Sequence, residues 1–156
     1  GKLTHNEYEL MKTHCEKGCQ VVAKMKDSWS KEYLEMGLSI CLNHHEKWDG
    51  MGYPHGLKGD KIPIEAQIVS LADVYDALTS ERCYKKAYTH EQAVKMILNG
   101  ECGAFNPILM EVLKIVEAKL KNGLNKDTLD QIENDEITYT SKHLLESINL
   151  ISSIPF

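Results

Sequence analysis

An all-α fold is predicted by three features of the sequence. Thr4-His5-Asn6-Glu7 and Thr89-His90-Glu91-Gln92 are capping boxes, in which a Thr oxygen takes an orphan N–H and the acidic or amide side chain reaches back. Apolar residues recur at helical spacing over most of the chain. No stretch alternates apolar and polar residues long enough to demand a sheet.

Taken in order, the first helix opens at the Thr4 capping box and carries Tyr8, Met11, Cys15, Gly18, Cys19 and Val22 at helical spacing. A break at Asp27-Ser28 precedes a second helix over about 30–45, with Tyr33, Leu34, Gly37, Leu38 and Cys41 on one face. Pro63 reads as the first turn of a third, running through Ala66, Val69, Ala72 and Asp73 toward Ser80. The fourth opens at the Thr89 box and runs to about Asn99. Asn106-Pro107, an N-cap followed by a first-turn proline, starts a fifth that Asn122-Gly123 ends. Two shorter helices are expected near 126–133 and 141–151, as a docking or linker segment outside the core.

Between Asp49 and Pro63 the texture changes. Gly50, Gly52, Gly56 and Gly59 are four of the ten glycines, and Pro54 and Pro63 two of the four prolines. Glycine admits positive φ and proline restricts it, so this is a specifically shaped loop, set beside paired histidines.

The 156 residues carry 18 Lys+Arg against 23 Asp+Glu, a net charge of −5, with 42% hydrophobic residues. That is the composition of a globular domain with a real core, not of a disordered or collagen-like chain. No apolar run approaches the ~18 residues a membrane span requires. An acidic balance with scattered basic residues argues against a nucleic-acid partner, though not against a local pocket for phosphate. The five cysteines form no C-x-x-C pair, which fits free thiols in the cytoplasm. Cys15 and Cys19, four apart on one helix, read either as small core fillers or as metal ligands.

Adjacent histidines at a helix end, His44 and His45, point about 100° apart and can embrace a centre from two directions. They also read simply as residues favoured by the helix dipole. Glu46 and Asp49 follow as extra ligands or as acceptors for the ring N–H groups. Asp73 lies in an otherwise apolar helix, where a carboxylate is costly unless paired or bound to metal; Asp76 shares roughly its face. His14 is the remaining candidate ligand. Nitrogen and oxygen donors from three helices suit iron, manganese, nickel or zinc. Arg82 and Lys85, nine and twelve residues beyond Asp73, could hold a phosphate near such ions, or form an ordinary solvated charge cluster with Lys86. A metal pair flanked by cations describes hydrolytic phosphoryl transfer.

The run His44-His45-Glu46-Lys47-Trp48-Asp49-Gly50-Met51-Gly52-Tyr53-Pro54 reproduces HHExxDGxGYP, and the chain resembles the HD-GYP domains, bacterial members of the HD phosphohydrolases. The likeness continues through Gly56-Leu57-Lys58-Gly59, Ile62-Pro63, the Ala72–Ser80 run, Arg82 and Tyr84-Lys85, and includes Lys2-Leu3-Thr4 and Met11-Lys12-Thr13-His14. It implies an HD-domain-like helical bundle over residues 1–120, with 121–156 as a C-terminal helical appendage. It implies that His14, His44, His45 and Asp73 bind a di- or tri-nuclear divalent metal centre, iron or manganese foremost, with Glu46, Asp49 and Asp76 behind them. It puts Tyr53, Arg82 and Lys85 against substrate, and implies hydrolysis of cyclic di-GMP to pGpG or GMP. It associates the Gly52-Tyr53-Pro54 loop with GGDEF domains as partners.

There are departures. Gln67 stands where the family often has arginine, Cys83 where it has proline, and Cys102-Gly103-Ala104-Phe105-Asn106-Pro107 where it has a His-Phe-Asp-Pro run. No His-Asp dipeptide occurs in the sequence. The naming doublet is therefore expected upstream, and these residues are expected to be an N-terminally truncated domain with weak or absent metal, negligible activity of their own and a tendency to dimerise. The alternatives are a non-catalytic module that binds cyclic di-GMP or docks a GGDEF partner, and a hydrolase of another nucleotide.

Overall fold

The computed structural model describes residues 3–81 and 86–121, the side chains of 118–121 excepted. All the described regular structure is helical: α1 His5–Lys12, α2 His14–Ala23, α3 Lys31–Asn43, a 3-10 turn Gly59–Lys61, α4 Ile64–Thr79, α5 His90–Leu98 and α6 Pro107–Lys121. The helices expected near 126–133 and 141–151 lie outside the described residues. The chain divides after Ser70 into two compact units, with α4 contributing to both.

In the first unit, the Thr4 capping box forms as expected: the Thr4 N–H donates to Glu7 Oε2 at 2.7 Å, and the Glu7 N–H donates to Thr4 Oγ1 at 3.3 Å. The single helix expected from there is two helices. The Thr13 hydroxyl and N–H both donate to the Leu10 carbonyl, at 2.7 and 3.2 Å, an i−3 pattern that tightens one turn. α2 then restarts from the Thr13 carbonyl, which accepts from the Lys17 N–H. Apolar spacing runs straight through this interruption, because a side-chain back-bond leaves the periodicity intact.

α2 and α3 pack closely through small residues. A methyl group on Gly18 would lie 3.4 Å from Cys41 Sγ, and one on Gly37 would lie 3.2 Å from Trp29 and Val22. Cys15 is wholly buried and Cys19 donates to the Leu38 carbonyl, the filler role for both thiols. Burial pushes the Cys15 thiol up to about 11, with Cys19 beside it adding to the shift. Cys15, Cys19, Cys41 and Cys102 are free thiols. Tyr33, placed by spacing on a common face with Leu34 and Cys41, is 69% exposed.

α3 opens on Ser30, whose hydroxyl accepts from the Tyr33 N–H, and ends at Asn43 rather than at 45. Side chains end it. Asn43 Nδ2 donates to the Ser39 carbonyl at 2.9 Å, and the His44 ring nitrogen takes the carbonyls of Ile40 and Cys41.

In the second unit, Leu71, Ala72 and Leu78 of α4 are buried, as are Ala93, Val94 and Ile97 of α5 and Leu109, Val112, Leu113 and Val116 of α6. Both helix starts follow the sequence: Thr89 and Gln92 form their box, and Asn106 Oδ1 accepts from the Ile108 N–H at 2.8 Å. Tyr75 joins α4 to α5 through a 2.8 Å hydrogen bond between its hydroxyl and His90 Nδ1.

Candidate metal centre

Three histidines meet in the first unit. His14 is the first residue of α2, just after the Thr13 break; His44 caps α3 and His45 follows it in the turn. One ligating atom from each lies within 4.8 Å of the others. The rings pack with centroids 5.3 Å (His14–His44), 4.8 Å (His14–His45) and 4.2 Å (His44–His45) apart.

Two of the rings are oriented by helix carbonyls. His14 Nδ1 lies 2.7 Å from the Met11 carbonyl, and His44 Nδ1 lies 2.9 and 3.1 Å from those of Ile40 and Cys41. A carbonyl oxygen only accepts, so each Nδ1 carries a proton, and in the neutral ring each Nε2 presents a lone pair. Those two Nε2 atoms face each other at 3.2 Å. Lone pairs at that distance repel unless a cation or a shared proton lies between them. Imidazoles held by outer acceptors, with Nε2 turned inward, are the donor set a divalent metal takes. Burial, first of all, lowers the His45 pKa to about 3, because a second charge beside His44, His14 and Lys47 is disfavoured. His45 is therefore neutral near pH 7, the form that binds metal.

Glu46 serves the loop. It is 3% exposed, and its two oxygens accept from the backbone N–H groups of His55 at 2.7 Å and Leu57 at 2.9 Å. The Tyr53 N–H donates to the His45 carbonyl, and that of Gly59 to Trp48. Gly52 is irreplaceable for steric reasons: a Cβ there would collide with the backbone of His45, Glu46 and Lys47. Asp49 accepts from the Met51 N–H at 2.9 Å, closing a turn at the exposed edge. The loop thereby lays the Tyr53 ring on His45, 4.8 Å between centroids and 28° from parallel, with the hydroxyl 3.7 Å from Met11 Sδ.

The other residues expected at the site are distributed as follows. Asp73 and Asp76 lie on α4 in the second unit, both half-buried, and Asp76 accepts from the Ser80 hydroxyl at 3.1 Å. Arg82 and Lys85 lie outside the described residues. Gln67, one of the departures, is buried with its amide donating to the Ile62 carbonyl at 2.6 Å. Sequence reasoning passed over Lys12, whose ammonium lies over the rings of Tyr8 and Tyr53, because nothing in its spacing separates it from a surface lysine.

A family model described as HD domain matches residues 1–104. A cyclic di-GMP phosphodiesterase of Vibrio cholerae is 42% identical over 120 residues, 76% of this chain and 24% of that protein. One of Thermotoga maritima is 39% identical over 140 residues, 88% of this chain and 35% of that protein. A 3′3′-cGAMP-specific phosphodiesterase of Vibrio cholerae is 39% identical over 113 residues, 72% of this chain and 21% of that protein. The chain thus spans between about a fifth and about a third of the length of these relatives. The family match takes in all three histidines and the loop that follows them, and the chain belongs to the HD domain family.

Proposed function

We propose that this chain is the histidine-bearing part of an HD-GYP-type phosphodiesterase that opens cyclic di-GMP to linear pGpG or GMP in bacterial signalling. The observation that carries the reading is the pair of Nε2 lone pairs facing at 3.2 Å, with His45 beside them. The names of the similar proteins from Vibrio cholerae and Thermotoga maritima support the substrate.

His14, His44 and His45 hold the metal, and by resemblance Asp73 is a further ligand. Iron or manganese is the first expectation, with nickel or zinc as the other candidates for nitrogen and oxygen donors. A divalent centre bound here supplies Lewis acidity toward the phosphodiester and lowers the pKa of water. The chain's own groups do the rest. The carbonyls of Met11, Ile40 and Cys41 take the Nδ1 protons, so that Nε2 of each neutral ring is the atom turned toward a metal. The Tyr53 ring covers His45 and limits water on that side. By resemblance, Arg82 and Lys85 bind the substrate phosphate and offset its charge.

The setting proposed is cytoplasmic; among the described residues no helix is long and apolar enough to cross a membrane. The Gly52-Tyr53-Pro54 loop is the proposed contact for a GGDEF domain. A homodimer is proposed on the exposed apolar residues Val21, Met25, Trp29, Tyr33 and Met36 of the first unit. Residues 121–156 are proposed as a helical appendage to the domain.

A second reading, hydrolysis of a mixed cyclic dinucleotide, is favoured by the similar protein named as 3′3′-cGAMP-specific. Turnover by the full-length parent, with manganese or ferrous iron, against cyclic di-GMP and 3′3′-cGAMP decides between them. Chelator-sensitive cleavage of cyclic di-GMP that is lost in His44→Ala is the expected result. Turnover that persists in chelator or in His44→Ala would refute the metal reading, and faster cleavage of 3′3′-cGAMP would favour the second substrate.

A further inference from the structure

Beside the histidine cluster, with Tyr53 bordering both, lies a hollow in the first unit, of about 210 Å³, lined by Glu9, Lys12, Thr13, Glu16, Tyr53 and Pro54. It is smaller than the ~300–1,000 Å³ of sites for drug-sized ligands, so it suits a fragment such as a single base. Tyr53 is its shared wall with the histidines, stacking on His45 at 4.8 Å.

The polar groups in the hollow are arranged. The Lys12 ammonium is held from three directions: 2.8 Å from Glu9 Oε1, 5.3 Å from the Tyr8 ring centroid and 6.0 Å from that of Tyr53. Its side chain is only 28% exposed. The Thr13 hydroxyl spends its proton on the Leu10 carbonyl, so toward a ligand its oxygen can only accept. Glu16 supplies a carboxylate with two further acceptor oxygens. Two carboxylates in so small a space disfavour a phosphate. One ammonium donor among several acceptors instead matches a base edge that offers one acceptor beside two donors.

We propose that this hollow is a base subsite that selects guanine over adenine, resting on the reading that the substrate is a cyclic purine dinucleotide. Guanine O6 and N7 accept from the ammonium, while its N1–H and N2–H lie side by side for the two oxygens of one carboxylate. Adenine presents a bare N1 where guanine presents a donor, so it offers that carboxylate a single hydrogen bond. Glu9 is the group that holds Lys12 in place, and Glu16 is the acceptor for the base edge.

The test uses the 156-residue chain without metal or turnover, titrated with GMP and with AMP by NMR chemical shifts. The two nucleotides share their phosphate and ribose, so any difference between them reads the base. A bidentate contact at a partly exposed site corresponds to about fivefold or more in favour of GMP. Lys12→Gln and Glu16→Gln each bring the affinity for GMP down to that for AMP, whereas Lys12→Arg keeps most of the preference. Equal affinity of the unaltered chain for GMP and AMP, absence of GMP binding, or GMP binding unchanged in either glutamine variant would overturn the proposal. Because no hydrolysis is measured, failure of the phosphodiesterase reading in the parent protein leaves a distinct signature: the base preference persists while cyclic di-GMP is not cleaved.

Discussion

His14 and His44 bring their two Nε2 atoms to 3.2 Å, with the His45 ring packed against both. Two expectations follow at this scale. Replacing either histidine by alanine should lower metal affinity by at least ten- to a hundredfold, the usual effect of losing even an outer partner of a ligand, as measured by calorimetry with manganese. The second expectation concerns His45. Its folded pKa of about 3 lies below the ordinary value of 6.5, so the unfolded chain binds the extra proton first. The metal-free protein should therefore lose stability as pH falls from about 6.5 toward 3, with nothing lost from this residue above that window. His45→Gln should flatten that slope, and a pH profile of the urea midpoint unchanged by the replacement would contradict the assignment.

Helices and the loop divide sharply in how far the sequence reveals them. Starts at Thr4, Ser30, Thr89 and Asn106 are local events, each decided by a side chain and an N–H two or three residues away, and each was readable directly. The break at Thr13 and the end of α3 two residues early depend on side chains bonding to carbonyls three or four residues back, a choice that apolar spacing does not register. The histidine doublet was legible as a pair but not as a post-helical turn. The task of Glu46 was hidden because its partners, His55 and Leu57, lie nine and eleven residues ahead. Two glycines test this scale from opposite sides. Gly18→Ala places a methyl at ordinary contact with Cys41 in mid-helix and should stabilise by up to ~1 kcal/mol. Gly52→Ala drives a methyl into the His45–Lys47 backbone and should abolish metal binding while leaving helical circular dichroism nearly intact. Retained metal binding in the second variant would mean that the loop can move away from the histidines.

For the molecule as a whole, metal and self-association are the terms expected to govern stability. An ion that binds only the folded state adds about 2.7 kcal/mol at a hundredfold excess over its dissociation constant, so melting of the full-length parent should shift upward with manganese and return with chelator, while these 156 residues alone, expected to hold metal weakly, should shift less. No shift of the parent at millimolar manganese would count against the metal reading. Light scattering should give twice the 17.7 kDa chain mass, and a monodisperse monomer would count against the dimer. The all-helical class was legible from spacing alone, whereas the division after Ser70 was not, since α4 reads as one uninterrupted amphipathic run across it.

The carboxylate of Glu46 has a consequence for anyone who would move this motif to another scaffold. Its two bonds reach forward to His55 and Leu57, the His45 carbonyl receives the Tyr53 N–H, and Gly52 lies against the peptide planes of 45–47. A graft of Gly52-Tyr53-Pro54 alone would arrive without its mould. The smallest transplantable cassette runs from Asn43 to Gly59, histidines included, and a recipient must offer a helix whose last turn ends where α3 does.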